Sequence, residues 1–180
     1  MMRGSGLFPI PSRVLHWLMA VLVVAMLFIG IGMVSTVSPR YEALVAIHRP
    51  LGIAILVLVV LRFINRIVNP PPPLPDDLPG LQRLAAYASH IALYVLMFAL
   101  PLVGWGMLSA ARYPIDLGGG VQLPPILPHD LGLYAGLRGL HTALALLLFG
   151  LVLLHLGAAL YHGLVRRDGV LGSMTGVKED

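Results

Sequence analysis

The chain has 180 residues, 58% hydrophobic and 11% charged, a balance that excludes a soluble globular domain and fits one polytopic membrane domain over residues 1–180. It has no cysteine, which excludes disulfides, thiolate zinc sites, iron–sulfur clusters and covalently attached c-type haem in this chain. The formal charge of +4 does not point to nucleic acid, because the basic residues flank apolar runs, where they set orientation.

Four apolar segments are long enough to cross a bilayer, which takes about 20 residues of helix. The first runs from about Val14 to Val34 without a charge and carries His16 and Trp17 near its start. It reads as a membrane helix rather than a cleaved signal, since it is long enough to span and no small-residue cleavage pattern follows. The second, about His48 to Ile67, opens on His48 and carries Arg62 and Arg66 near its end. The stretch NPPPPLP, Asn69 to Pro75, cannot stay helical and stops it in a compact loop. The third, about Leu84 to Ala110, is charge-free and contains His90, with Trp105 near its end. A long link from Arg112 to Arg138, rich in Gly and Pro and holding His129, is expected to fold over the mouth of the bundle. His129 itself reads as a solvated loop residue. The fourth segment, Gly139 to Val165, has no Asp, Glu, Lys or Arg and contains His141, His155 and His162.

Lys and Arg divide eight to four between the two sides. Arg3, Arg13, Arg62, Arg66, Arg83, Arg166, Arg167 and Lys178 fall on one, and Arg40, Arg49, Arg112 and Arg138 on the other. The richer side is expected to be cytoplasmic, with both termini. The chain cannot be read as a monomer or an oligomer from sequence.

His141 and His155 are the most informative residues. Ionisable side chains within a membrane span are costly and mark function. Fourteen residues apart on a helix, they return to within about 40° of one face and sit roughly 21 Å apart along the axis. That suits two stacked haems, each needing a second ligand at equal depth on a facing helix. On the outer side the intramembrane candidates are His48 and His141. On the inner side His155 can pair with His16 or His90, and His162 competes with His155. Arg13, Arg49, Arg62 and Arg138 lie near these levels as candidate propionate partners. Met19, Met26, Met33, Met97 and Met107 read as core filling. Glycines on all four segments suit close packing around flat cofactors or between helices.

The pieces RVLHW, AIHRPLGIAILVLVVLR, NPPPPLP, YASHIALYVLMFALPLVGW and LRGLHTALALLLFGLVLLHLGAALYHGLVRRDG together resemble the bacterial cytochrome b561 family. More distantly, they resemble the dihaem cytochrome subunits of nickel–iron hydrogenases and formate dehydrogenases. The resemblance covers nearly the whole chain. It implies an all-α, four-helix transmembrane bundle binding two b-type haems, His16 with His155 on the inner side and His48 with His141 on the outer. It also implies a bacterial inner membrane and electron transfer between the outer face and the quinone pool. One member type oxidises superoxide and reduces ubiquinone; His90 and His162 would then line the quinone pocket. The outer link, poor in aromatic residues, departs from the family pattern. The rival readings are a haem-carrying anchor or electron-transfer subunit for a partner dehydrogenase or c-type cytochrome, and a haem-free channel.

Overall fold

A computed structural model describes residues 6–176; Arg3 and Lys178 lie outside the described residues. Four long apolar helices make the bundle: α1 (Ile10–Ser35), α2 (Arg40–Val68), α3 (Gly80–Ala110) and α4 (Leu131–Leu160). A π-helical turn, Tyr161–Arg166, prolongs α4, and a short helix, α5 (Val170–Thr175), follows. The link between α3 and α4 holds a two-stranded antiparallel ribbon, β1 (Ile115–Asp116) with β2 (Gln122–Leu123). In a bilayer the helices satisfy their own backbone groups, which is the condition for crossing.

The helices outrun the apolar segments, because charge marks the edge of the hydrocarbon and not the end of the hydrogen-bond ladder. α2 begins two turns before His48, with Glu42 in its first turn where the helix dipole favours an anion. α4 begins eight residues before Gly139, where the Asp130 side chain accepts a hydrogen bond from Leu133 N at 2.8 Å. Pro50 and Pro101 sit inside α2 and α3 without ending them.

Packing is uneven around the bundle. α1 lies along α2, α3 along α4, and α2 along α3. The tightest layer is at mid-height: Val23, Ile55, Leu96, Leu100 and Leu148 are buried together, with Met26 and Met97 filling around them. Met19 is 2% exposed. Large aliphatic side chains such as Val21, Ile64, Ile91 and Leu154 cover the outside, as a lipid-facing surface requires.

Each end of the bundle is closed by polar ties. At the link end, Trp105 Nε1 donates to Pro124 O at 2.9 Å, Ile126 N to Ser109 Oγ at 3.1 Å, and Arg49 Nη1 to Pro114 O at 3.4 Å. His129 is exposed, but Nδ1 donates to Ala110 O at 2.8 Å and so caps the C-terminus of α3; it is a capping residue rather than a freely solvated one. At the other end, Trp17 Nε1 donates to Met174 O at 3.1 Å and Phe8 N to Ser173 O at 3.0 Å, docking α5 under α1.

Candidate functional site

Five histidines converge inside the bundle at two levels, one on each side of the mid-height apolar layer. Toward the link, His48 of α2 faces His141 of α4, with ring centres 6.2 Å apart and planes at 69°. Toward the termini, His16 of α1 faces His155 of α4 at 6.2 Å and 70°. The two pairs are nearly congruent. His90 of α3 also meets His155, at 5.5 Å and 66°, so both candidates for the inner partnership come within reach of the same ring.

These pairs fit a metal held axially between two imidazoles. A metal–nitrogen bond of about 2 Å on each side, with the ring centre roughly 1 Å further back, sums to roughly 6 Å. His48 Nδ1 and His141 Nδ1 are buried without a hydrogen-bond partner, an expensive condition that suits a site built for more than packing. On α3, Gly104 lets His141 into place: a Cβ there would lie 3.3 Å from His141 Cε1.

The chain belongs to the prokaryotic cytochrome b561 family. The model of that family matches residues 7–176. Cytochrome b561 homolog 2 of Escherichia coli is 36% identical over 169 residues, covering 92% of this chain and 89% of the relative. A probable superoxide oxidase CybB of Yersinia pestis is 31% identical over 159 residues, covering 87% and 89%. Cytochrome b561 homolog 1 of Escherichia coli is 30% identical over 165 residues, covering 87% and 90%. Membership makes this a multi-pass membrane protein of electron transfer and implies haem b.

The other expected site residues separate. Arg62 reaches the inner pair: its Nη2 lies 2.9 Å from His16 Nδ1 and its Nε donates to Tyr94 OH at 3.2 Å. Arg66 lies over the Tyr94 ring, 5.8 Å from its centre. Both line a small polar cavity with Ser12, Asn65 and Asn69, and neither has a carboxylate partner among the described residues. Arg13 packs against Gly176, and Arg49 is tied to Pro114 O. Arg138 is exposed beside Tyr134 and Thr142 on α4. His90 and His162, expected to share a pocket, have different neighbours. His162 meets Tyr161, and its Nδ1 lies 2.6 Å from Asp168 Oδ2.

Two contributors, Tyr94 and Asp168, were not singled out from sequence, and a third, Gly104, was expected only among the close-packing glycines. Gly104 is one of many glycines, and nothing in the spacing ties it to His141. Tyr94 reads as an ordinary aromatic within an apolar span. Asp168, six residues beyond His162, would face away from it on a continuous α-helix; the π turn and the left-handed Arg167 (φ +50°) bring it back.

Proposed function

We propose that this protein is a dihaem superoxide:ubiquinone oxidoreductase of the bacterial inner membrane, with both termini in the cytoplasm. The observation that carries the reading is the pair of congruent histidine couples at opposite ends of an apolar core. His48 and His141 would hold one haem b near the outer face, and His16 and His155 the other near the inner face. Bound there, haem would supply one-electron redox chemistry, and holding each iron between two histidines would favour outer-sphere electron transfer over oxygen binding. His16 is preferred to His90 because its spacing and ring angle against His155 repeat those of the outer pair.

The balanced reaction takes two superoxide anions, one ubiquinone and two protons to two dioxygen molecules and one ubiquinol. The residues divide the work. Val23, Ile55, Leu96, Leu100 and Leu148 exclude water from the layer between the two levels. Arg62 has only donors, so its contact requires His16 Nδ1 to accept. Were His16 to hold haem iron, Arg62, with Arg66, Asn65 and Asn69 beside it, would be a positive charge available to an anionic group. Arg49, next to His48, offers a positive charge to an approaching anion. His162, near the inner surface, holds the proton destined for the quinone oxygen at Nε2, since Nδ1 is engaged by Asp168. Superoxide as donor is supported by the likeness to the Yersinia pestis relative named a probable superoxide oxidase.

The test is a reduced-minus-oxidised spectrum of the detergent-purified protein, with haem quantified per chain and superoxide as reductant in the presence of a short-chain ubiquinone. Two b haems per chain, rapid reduction by superoxide and formation of ubiquinol are expected. Two haems reduced by dithionite or a redox protein but not by superoxide would make this an electron-transfer subunit. A chain that binds no haem would overturn the reading from its base.

A further inference from the structure

Just below the inner histidines, the chain leaves α-helical geometry for one π turn, Tyr161–Arg166. π turns are rare and recur at functional sites. Arg167 follows in the left-handed region at φ +50° and Gly169 at +76°. The turn returns Asp168 to the helix it has just left, with its side chain 10% exposed. There Asp168 Oδ2 makes two short contacts: 2.6 Å to His162 Nδ1 and 2.8 Å to Arg166 Nε. Arg166 also reaches across to the loop between α2 and α3, donating through Nη2 to Asp77 Oδ2 at 2.7 Å.

Chemistry fixes the roles. Guanidinium can only donate, so Oδ2 receives a charge-assisted bond that favours ionised Asp168. An ionised carboxylate can only accept, so His162 Nδ1 must carry a hydrogen. The nitrogen left for exchange is Nε2. The tie of Arg166 to Asp77 is of another kind: Asp77 is 77% exposed, and exposed ion pairs contribute little. Anchoring of the segment is already supplied by the contacts of Phe8 and Trp17 with α5. The His162–Asp168 bond is therefore one tie among several on this segment.

We propose that Asp168 is a positioning residue for quinone reduction, its Oδ2 holding His162 Nδ1–H so that Nε2 is the nitrogen that passes protons to the quinone. The inference rests on the quinone-site reading of His162. In each transfer the Nε2–H bond breaks and an O–H bond forms on the reduced quinone. The ring stays behind as the neutral Nδ1–H form, and Nε2 takes the next proton from water. The two protons accompany the two electrons that superoxide supplies. Without Asp168 the neutral ring divides between its two tautomers, and the one carrying its proton on Nε2 cannot be reloaded there.

The test uses the full-length, haem-loaded protein in detergent, reduced beforehand, with a short-chain ubiquinone as acceptor, so that it does not depend on superoxide. Asp168→Asn is expected to lower the limiting rate of haem reoxidation several-fold with little change in the half-saturating quinone concentration, Asp168→Glu to recover most of the rate, and Asp77→Asn to behave as wild type. His162→Ala should be slower still, and adding Asp168→Asn to it should change nothing further. In ¹⁵N-histidine spectra of the reduced protein, the neutral fraction of His162 should be in the Nδ1–H form, and this form should be depleted in Asp168→Asn. Additive losses in the double variant, or equal losses in Asp77→Asn and Asp168→Asn, would reduce the contact to a structural tie and overturn the proposal. If Asp168→Asn does not accumulate, the tautomer in the wild-type protein decides, and a predominant Nε2–H form overturns it. A His162→Ala variant at full rate is a separate failure, removing His162 from the quinone site.

Discussion

At the scale of single residues, the bundle is organised by which rings meet. His155 touches both His16 and His90, and distance alone would favour His90, at 5.5 Å against 6.2 Å. On the proposed reading, the match between the His16–His155 and His48–His141 couples favours His16 instead, since two similar groups call for two similar sites. His16→Ala and His155→Ala should each lose the inner haem and keep the outer one, His141→Ala should do the reverse, and His90→Ala should keep both. Haem quantified per purified chain, with the two b spectra resolved, checks this, and a His90→Ala protein with one haem would reassign the inner ligand. Gly104 gives an independent test of the outer site. A methyl at 3.3 Å from His141 Cε1 already crowds the ring, and a larger group has nowhere to go in a close-packed interior. Gly104→Leu should empty the outer site while the inner haem stays; retention of two haems would show that His141 does not need that seat. The histidines were legible in the sequence because an imidazole stands out in an apolar run. Gly104 was legible only as one of several close-packing glycines, because a glycine's particular role depends on which ring another helix brings to it.

At the scale of elements, apolar length located all four spans, but their ends had other causes. The Asp130 cap and the Glu42 first turn carry α4 and α2 beyond the hydrocarbon edge, where hydropathy has no signal. The π turn was illegible for a similar reason: one glycine in YHGLVR does not separate it from an α-helix, and the seat of Leu171 against Gly163 and the bond of Asp168 to His162 are made by residues beyond the turn. This end of the molecule should respond to acid. Burial raises the Asp168 carboxyl, but hydrogen bonds from His162, from Val170 N and from Arg166 outweigh it and hold the group below its ordinary value of 3.8. A carboxyl lowered by folding contributes its full stabilisation above the ordinary value and loses it as pH falls through the lowered one. Backbone amides of Asp168–Thr175 should therefore exchange hydrogen slowly at neutral pH and down to about pH 5, and distinctly faster below the ordinary carboxylate range once intrinsic rates are corrected. Asp168→Asn should show the faster exchange at every pH. An acid-insensitive wild-type segment would show that α5 is held by Trp17 and Phe8 alone.

At the scale of the whole molecule, the proposed donor raises the question of how an anion is drawn to the His48–His141 site. Charge at the link end is close to balanced: Arg40, Arg49, Arg112 and Arg138 stand against Glu42, Asp116 and Asp130. A field spread over that face would be weak, and at physiological salt it would fade over about 8 Å. Any steering must then come from a positive charge close to the point of electron entry. Arg49 meets that condition, since it follows His48 directly and its guanidinium is held against the folded link at Pro114 O. Arg40 lies two turns away along α2. Arg49→Gln should therefore slow reduction of the protein by superoxide about tenfold at low ionic strength, within the usual range of electrostatic steering, and by less as salt is raised. Arg40→Gln should stay near wild type throughout. Stopped-flow rates at several salt concentrations, on variants matched for haem content, provide the measurement. Equal effects of the two substitutions would point to a diffuse surface field. No effect of either would mean that superoxide reaches the site without electrostatic guidance, and that the folded link serves a partner protein instead.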